Sequence, residues 1–280
     1  MTMKSVLSIQ SAVTFGAVGN TMAASVMAAL GHHLARVDTV QLVAHPGHGS
    51  RAGGSLMAAD FNSLLDHISA LGFDDHIQAV MTGYMGMPEQ VDKVAQMLDK
   101  LTMSRPELDV LIDPAIGDHG RFYVDDKVAA RVTQLLIPHA SVITPNAFEF
   151  THLIGHEIAS RDEIHDAGCA LIAQYPRLHG IAVTGWHNPD LDMISDCWID
   201  RDGMITYDMP SGTGENATHG MSGGGDLFAA ILMGMRMNGD NWRGAFKNTA
   251  PLCRQIINSA QDGHDIDVAI VRDVLRASAD

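Results

Sequence analysis

Basic residues are scarce in this sequence: 18 Lys and Arg stand against 33 Asp and Glu, a formal net charge of −15. A surface built for nucleic acid or for an anionic bilayer needs a basic stripe, so neither partner is expected. A local site for an anion remains compatible with an acidic chain. Cysteines are also few. Cys169, Cys197 and Cys253 are scattered and form no CxxC pair, which excludes a zinc knuckle and a disulfide framework and predicts reduced thiols in the cytoplasm. Apolar runs such as LFAAILMGM fall well short of the ~20 residues a membrane span requires. The opening MTMKSVLSIQSAV has no basic run ahead of a long apolar core and reads as a first strand rather than a leader. Fifteen histidines include no HExxH grouping, so a histidine-bound metal is not expected.

What the sequence does contain is an alternation of strand-like and helical patterns. SVLSIQS, ARVDTVQLV, IQAVMTGYM, LDVLIDPAIG, ASVITPN and HGIAVTGW read as strands. Between them, NTMAASVMAALG, SLMAADFNSLLDHISALG, PEQVDKVAQMLDKLTMSR and RDEIHDAGCALIAQY carry helical periodicity, with Gly31 and Gly72 as stops and Pro88 in a first turn. DMISDCWIDRDGMITYDMP reads as a hairpin turning at Asp202-Gly203, and the tail from Gly223 is mostly helical. Strands separated by helices predict an α/β fold with a mainly parallel sheet covered by helices. No Pro/Ser linker or repeat interrupts it, so residues 1–280 are expected to form one domain. The glycine-rich stretch at about 43–55, around HPGHGSRAGG, reads as a flap.

Ligands of such sheets bind beyond the carboxyl ends of the strands. The polar groups there are Ser8 to Ser11, Thr82 to Tyr84, Asp113 to Asp118, Thr144 to Glu149, Thr184, and Gly223 to Asp226. In SGGGDLFAAILMGM three glycines run into Asp226 and a helix. Glycines at a helix start let successive N–H groups face one anion, and the helix dipole adds positive charge. Asp226 would be favoured there as a carboxylate able to take a proton from a substrate hydroxyl. That combination suits phosphoryl transfer; the bland account is a simple Asp cap. In LIDPAIGD, Asp113 and Asp118 flank a turn and could hold Mg²⁺ directly or through water, or be a solvated Asp-Pro turn. In ITPNAFE, Asn146 and Glu149 have capping-box spacing, and Glu149 could also join a metal's water shell. No GxxxxGK[ST] loop exists. SIQSAVTFGAVGN offers only Gly16 and Gly19, too far from the strand for a dinucleotide fingerprint, despite Asp38 standing where a ribose acid would.

Taken in order, SIQSAVTFGAVGN, DTVQL, VMTGYMG, LIDPAIGD, VITPNAFE, IAVT and GGGDLFAA resemble the pyridoxal kinases of the ribokinase-like superfamily, in particular the bacterial pyridoxine/pyridoxal/pyridoxamine kinase type. The resemblance spans nearly the whole chain. It implies a ribokinase-like three-layer α/β/α sandwich and ATP-dependent phosphorylation of a vitamin B6 hydroxymethyl group. Asp226 then resembles the catalytic base, with Gly223, Gly224 and Gly225 as the anion hole. Ser11, Val18, Tyr84 and the flap's His45 and His48 match the substrate side. Asp113, Asp118, Thr144, Glu149, Thr184, Gly223 and Gly225 match the ATP side, and Asp113, Thr144 and Glu149 the neighbourhood of Mg²⁺ and of K⁺ or Na⁺. A homodimer is the family's usual form.

The chain departs from the family pattern in three places. Gly224 replaces the threonine of GTGD, removing a hydroxyl that would meet the nucleotide. The flap reads Val43-Ala44 where relatives tend to carry Ser-Asn before a His/Thr segment, and then Gly47 and His48 in a segment where relatives tend to carry a tyrosine. SGTGENATHG, ahead of the glycines, is expected beside the adenine and is unusual. Hydroxymethylpyrimidine kinase is the enzyme alternative, and a reservoir protein that holds pyridoxal phosphate without turnover is the alternative from another class.

Overall fold

The computed structural model describes residues 5–49, 52–188, 192–210, 222–259 and 265–278. Strand β1 (Ser5–Val13) leads to helix α1 (Asn20–Ala29) and strand β2 (His33–Leu42). A 3₁₀ turn at Pro46–His48 and the short β3 (Gly53–Ser55) precede α2 (Ala58–Ala70), β4 (Ile77–Thr82), α3 (Pro88–Ser104) and β5 (Asp109–Ile112). A two-residue hairpin, β6 (Gly117–Asp118) and β7 (Arg121–Phe122), comes before α4 (Asp126–Arg131), which runs through a π turn into a 3₁₀ turn ending at His139. Next are β8 (Val142–Ile143), α5 (Ala147–Ile154), α6 (Arg161–Gln174), β9 (Gly180–Asn188), β10 (Met193–Asp200) and β11 (Gly203–Pro210). Helices α7 (Gly224–Met237), α8 (Trp242–Ser259) and α9 (Val268–Ala277) close the order.

The main sheet has nine strands in the order β11-β10-β9-β8-β5-β4-β1-β2-β3. Strands β9, β8, β5, β4, β1 and β2 are mutually parallel, and β3, β10 and β11 add antiparallel edges. Helices cover both faces. One core packs Leu7, Ile9, Val80, Ile112 and Val183 against α2 to α6 through Phe61, Val94, Leu98 and Phe150. The other packs Val6, Ala79, Met81, Leu111 and Val142 against α1, α7, α8 and α9. Successive strand residues face opposite layers, so a strand buried on both faces is apolar throughout rather than alternating. Leu227 through Met235 are all buried, because α7 is enclosed by the sheet and by contacts with α1 and α8. The expected α/β/α sandwich is therefore the observed architecture.

The expected hairpin exists, but its turn lies one residue earlier. Asp200 pairs with Gly203, leaving Arg201-Asp202 as the loop; Asp200 Oδ1 accepts from Asp202 N at 2.9 Å, and Gly203 opens β11 with φ +102°. The flap leaves β2 and returns beside it, with Val40 opposite Ser55 and Leu42 opposite Gly53. Segment 211–220, SGTGENATHG, and the flap's Ser50 and Arg51 lie outside the described residues.

Candidate active site

The parallel register aligns the strand ends that carry the polar residues. Ile9 stands opposite Thr82, Thr82 opposite Ile112, and Ile112 opposite Ile143. Backbone bonds continue the ladder one step further, from Asp113 N to Thr82 O at 3.0 Å and from Thr144 N to Ile112 O at 3.2 Å. Thr184 bridges Asn146. Asp113 and Thr144 thus emerge side by side, with Thr184 beyond them.

Asp226 enters this row from the first turn of α7. Its helix is capped by Gly223 at φ +90°, where a β-carbon would lie 2.5 Å from Ala17 O. A side chain there would collide with the loop joining β1 to α1. The same loop supplies Gly19, at φ +54°, whose N–H lies near enough to the Asp226 carboxylate to favour its charged form. A β-carbon on Gly19 would come within 2.1 Å of Ser11 O. Ser11, Gly19 and Asp226 therefore form one contact chain, and Ser11 sits at the irregularity where β1 slips against β2. The helix dipole alone would favour a charged Asp226. Burial opposes it and outweighs it, lifting the carboxyl above the ordinary aspartate value, with the Gly19 N–H pulling the other way. A carboxyl shifted upward holds a transferred proton better.

The mid-chain acids meet it. A β-carbon on Gly225 would lie 3.8 Å from Asp113 Oδ2. Asp113 is pushed well above its ordinary value, by burial first and then by the charges of Glu149 and Asp226. Thr144 opposes that rise, yet its Oγ1 makes no hydrogen bond of ordinary geometry; neither does the buried Thr82 Oγ1. These hydroxyls belong to the strands on either side of β5, flanking Asp113. Glu149 and Asn146 form the expected capping box: Asn146 Oδ1 accepts from Glu149 N at 2.9 Å, and Glu149 Oε2 from Asn146 N at 3.0 Å. Glu149 Oε1 also accepts from Ile116 N and Gly117 N, at 2.8 and 3.3 Å. Burial raises Glu149 to about 7 against these three N–H groups. With two donors on Oε1 and one on Oε2, a single acceptor position of Glu149 remains for water.

Among the described residues, no three His, Cys, Asp or Glu side chains converge to hold an ion by themselves. The oxygens that fit a hard cation are Asp113, the two orphaned threonine hydroxyls and the spare Glu149 position. Such a site requires water and phosphate to complete its shell, which is how Mg²⁺ is commonly bound.

On the apolar side, Val18 packs with Val13, Val40 and Leu42, with Tyr84 against them. Thr39 Oγ1 donates to Tyr84 O at 2.7 Å. Asp118 lies on the β6–β7 hairpin, exposed, with Oδ1 accepting from His119 N at 2.7 Å. In the flap, His45 Nδ1 lies 2.7 Å from Ser222 Oγ and His48 Nε2 lies 2.9 Å from Asp265 Oδ2.

Sequence reasoning missed two contributors and gave a third, Thr82, a place on the rim but no role. Gly19 is visible only as half of a rejected nucleotide motif. Tyr123 has no signal in the sequence; half its surface is exposed, but its phenol is crowded by protein and by Glu149, Asp113, Asp226 and Asp118, which raise it well above its ordinary value. Its ring lies 6.2 Å from that of Tyr84. Thr82 marks a strand end and is distinguished only by its unpaired hydroxyl. Asp38 accepts from Asn20 Nδ2 at 2.7 Å, which accounts for it without a ribose.

Comparison with known proteins adds to this geometry. The sequence profile described as phosphomethylpyrimidine kinase matches residues 56–268. The pyridoxal kinase PdxY of Burkholderia orbicola (strain AU 1054) is 29% identical over 277 residues, covering 96% of this chain and 93% of that protein. The structure of pyridoxal kinase from Leishmania donovani in complex with ADP and pyridoxamine matches with a TM-score of 0.87 at 25% identity, over 97% of this chain and 95% of that one. Pyridoxal kinase from Entamoeba histolytica matches with a TM-score of 0.88 at 24% identity, over 98% and 96% of the two chains, a likeness of fold.

Proposed function

This chain belongs to the phosphomethylpyrimidine kinase family, and from that premise we propose that it is an ATP-dependent kinase of vitamin B6 vitamers, transferring the γ-phosphoryl group to the 5′-hydroxymethyl oxygen of pyridoxal, pyridoxine or pyridoxamine. One observation carries the reading: the Asp226 carboxyl, beside the N–H of Gly19, which packs on Ser11, lies close enough to Asp113 for the two charges to repel. A general base, an alcohol-side serine and a cation-side acid then face one space. The relatives named pyridoxal kinase, matched along nearly their whole length, favour a B6 vitamer over a pyrimidine alcohol.

In this reading Asp226 takes the hydroxyl proton as the oxygen attacks the γ-phosphorus of ATP, whose bond to the β,γ-bridging oxygen breaks to release ADP. The amides at Gly223, Gly224 and Gly225, at the positive end of α7, face the charge on the transferring group. Ser11 bonds the pyridine ring, and Val18 and Tyr84 form its apolar wall. Asp113 and Thr144 hold Mg²⁺ and the accompanying K⁺ or Na⁺ with the nucleotide phosphates, Glu149 acting through water. The bound Mg²⁺ supplies charge neutralisation between phosphates. Asp118 and Thr184 lie on the nucleotide side. The chain acts as one domain, in the cytoplasm, as a homodimer.

Initial rates with ATP and each of pyridoxal, pyridoxine, pyridoxamine and hydroxymethylpyrimidine test this directly. The expected result is the highest kcat/KM for a B6 vitamer. A preference for hydroxymethylpyrimidine would move the enzyme to the pyrimidine branch, which the family profile itself describes. Tight pyridoxal phosphate binding without turnover would make it a reservoir.

A further inference from the structure

The flap is fastened at two points to segments far along the chain. His45 Nδ1 accepts from Gly47 N at 3.1 Å. A backbone N–H can only donate, so this nitrogen carries no proton and the Ser222 hydroxyl, 2.7 Å away, must be the donor. His48 Nε2 meets Asp265 Oδ2 at 2.9 Å. The two receiving residues are themselves joined, because Ser222 and Asp265 form a parallel β-bridge. Gly16, at φ +91°, brings the β1–α1 loop against the same carboxylate; a β-carbon on it would lie 2.8 Å from Asp265 Oδ2. Ser222 directly precedes Gly223, the cap of α7 and the first residue of the anion hole.

We propose that Ser222 and Asp265 are positioning residues that clasp the flap, through His45 and His48, onto the segment that opens the anion hole. The proposal rests on the kinase reading above for its consequence and on the geometry alone for the clasp. Flap closure over a vitamer then sets the flap against the β1–α1 loop, while Gly223 itself is held by α7 and by Ala17 packed on it. His45 and His48 each acquire a structural partner. The clasp acts on alcohol capture, so its loss appears in KM for the vitamer. Among the described residues no hydrogen bond or ion pair joins Asp113, Thr144 or Asp226 to the clasp, so kcat and KM for ATP stay nearly constant.

The test pairs an exchange measurement on the substrate-free full chain with steady-state kinetics. Hydrogen–deuterium exchange of the peptide spanning the flap is compared in wild type, His48→Ala, Asp265→Asn, the double variant and Ser222→Ala. Expected are faster flap exchange in each single variant and no further increase in the His48→Ala/Asp265→Asn double. Since both side chains of the ion pair are partly exposed, Asp265→Asn should raise KM for pyridoxal by about twofold to fivefold, with kcat and KM for ATP little changed. Unchanged flap exchange, or additive effects in the double, would overturn the clasp. Faster exchange with an unchanged KM for pyridoxal would overturn the positioning role. If Asp265→Asn unfolds, Ser222→Ala reads the other fastening by the same two measurements. Absence of any vitamer phosphorylation by wild type would instead sink the kinase reading, and the exchange arm would still judge the clasp.

Discussion

Gly225 lies against Asp113, close enough that a β-carbon on residue 225 would touch the carboxylate oxygen at 3.8 Å. The contact joins the start of α7 to the end of β5, and it explains why Asp226 adds to the upward shift of Asp113. An acid for proton transfer and an acid for a cation can serve one reaction only if they lie close together, and here the start of α7 meets the end of β5.

Asp226→Asn keeps the shape and the Gly19 contact but removes the proton acceptor. The expected loss in kcat is about 10²–10⁴-fold, or roughly 3–5 kcal/mol of barrier, with ATP affinity nearly unchanged. Steady-state kinetics beside isothermal titration with a nonhydrolysable nucleotide check both halves. Wild-type turnover in this variant would remove Asp226 from the role of base.

The glycines before Asp226 are not equivalent. Gly223 has φ +90° and no room beside Ala17 O, so Gly223→Ala should cost at least about 1–2 kcal/mol of stability from the left-handed backbone alone and distort the anion hole. Among the described residues, apart from its own chain neighbours and helix backbone, a β-carbon on Gly224 would meet only Ile257 Cδ1, at 3.7 Å. Gly224→Thr should therefore fold normally and lower KM for ATP by restoring the hydroxyl that the family pattern carries. Thermal melts and ATP titrations of the two variants decide it; a destabilised Gly224→Thr would refute the distinction.

Much of this candidate site was legible because glycine, proline and acidic residues stand at the strand ends. LIDPAIGD and ITPNAFE pointed to the strand ends from which Asp113 and Thr144 emerge side by side, and the capping-box spacing of Asn146 and Glu149 is borne out atom for atom. Contacts between distant segments were not legible. Nothing in FGAVGN announces that Gly19 will face Asp226, since that depends on how the loop folds back across α7. Tyr123 is hidden for the same reason: a two-residue hairpin too short for periodicity to reveal carries it over the acids. The turn at Arg201-Asp202 was misplaced because glycine at φ +102° serves as well at a strand's first residue as within a loop.

Glu149→Gln separates structure from metal binding. The amide oxygen can still accept from Ile116 and Gly117, but the amide nitrogen would face Asn146 N–H donor to donor. Half the capping box is lost, an expected cost of about 1 kcal/mol. If Glu149 also holds cation-bound water, the Mg²⁺ concentration for half-maximal rate rises. A lowered melting temperature with an unchanged Mg²⁺ titration would confine Glu149 to holding the loops.

The buried acids also make stability depend on pH in a defined direction. Burial raises Asp113, Glu149 and Asp226, so each binds its proton more tightly in the folded chain than in the unfolded one. Such a group stabilises the fold fully below its unfolded value and loses that contribution as pH rises through its folded value; for Glu149 the window runs from 4.5 to about 7. Asp113→Asn removes one of these acids and its repulsion of Glu149. The unfolding free energy of wild type relative to Asp113→Asn should therefore fall between pH 5 and pH 8, as read from urea denaturation of the substrate-free proteins. Mg²⁺ at pH 8 should restore wild type more than the variant, since only wild type offers the carboxylate. A difference that is flat with pH would mean that Asp113 is as well solvated folded as unfolded, contrary to its position between β4 and β8.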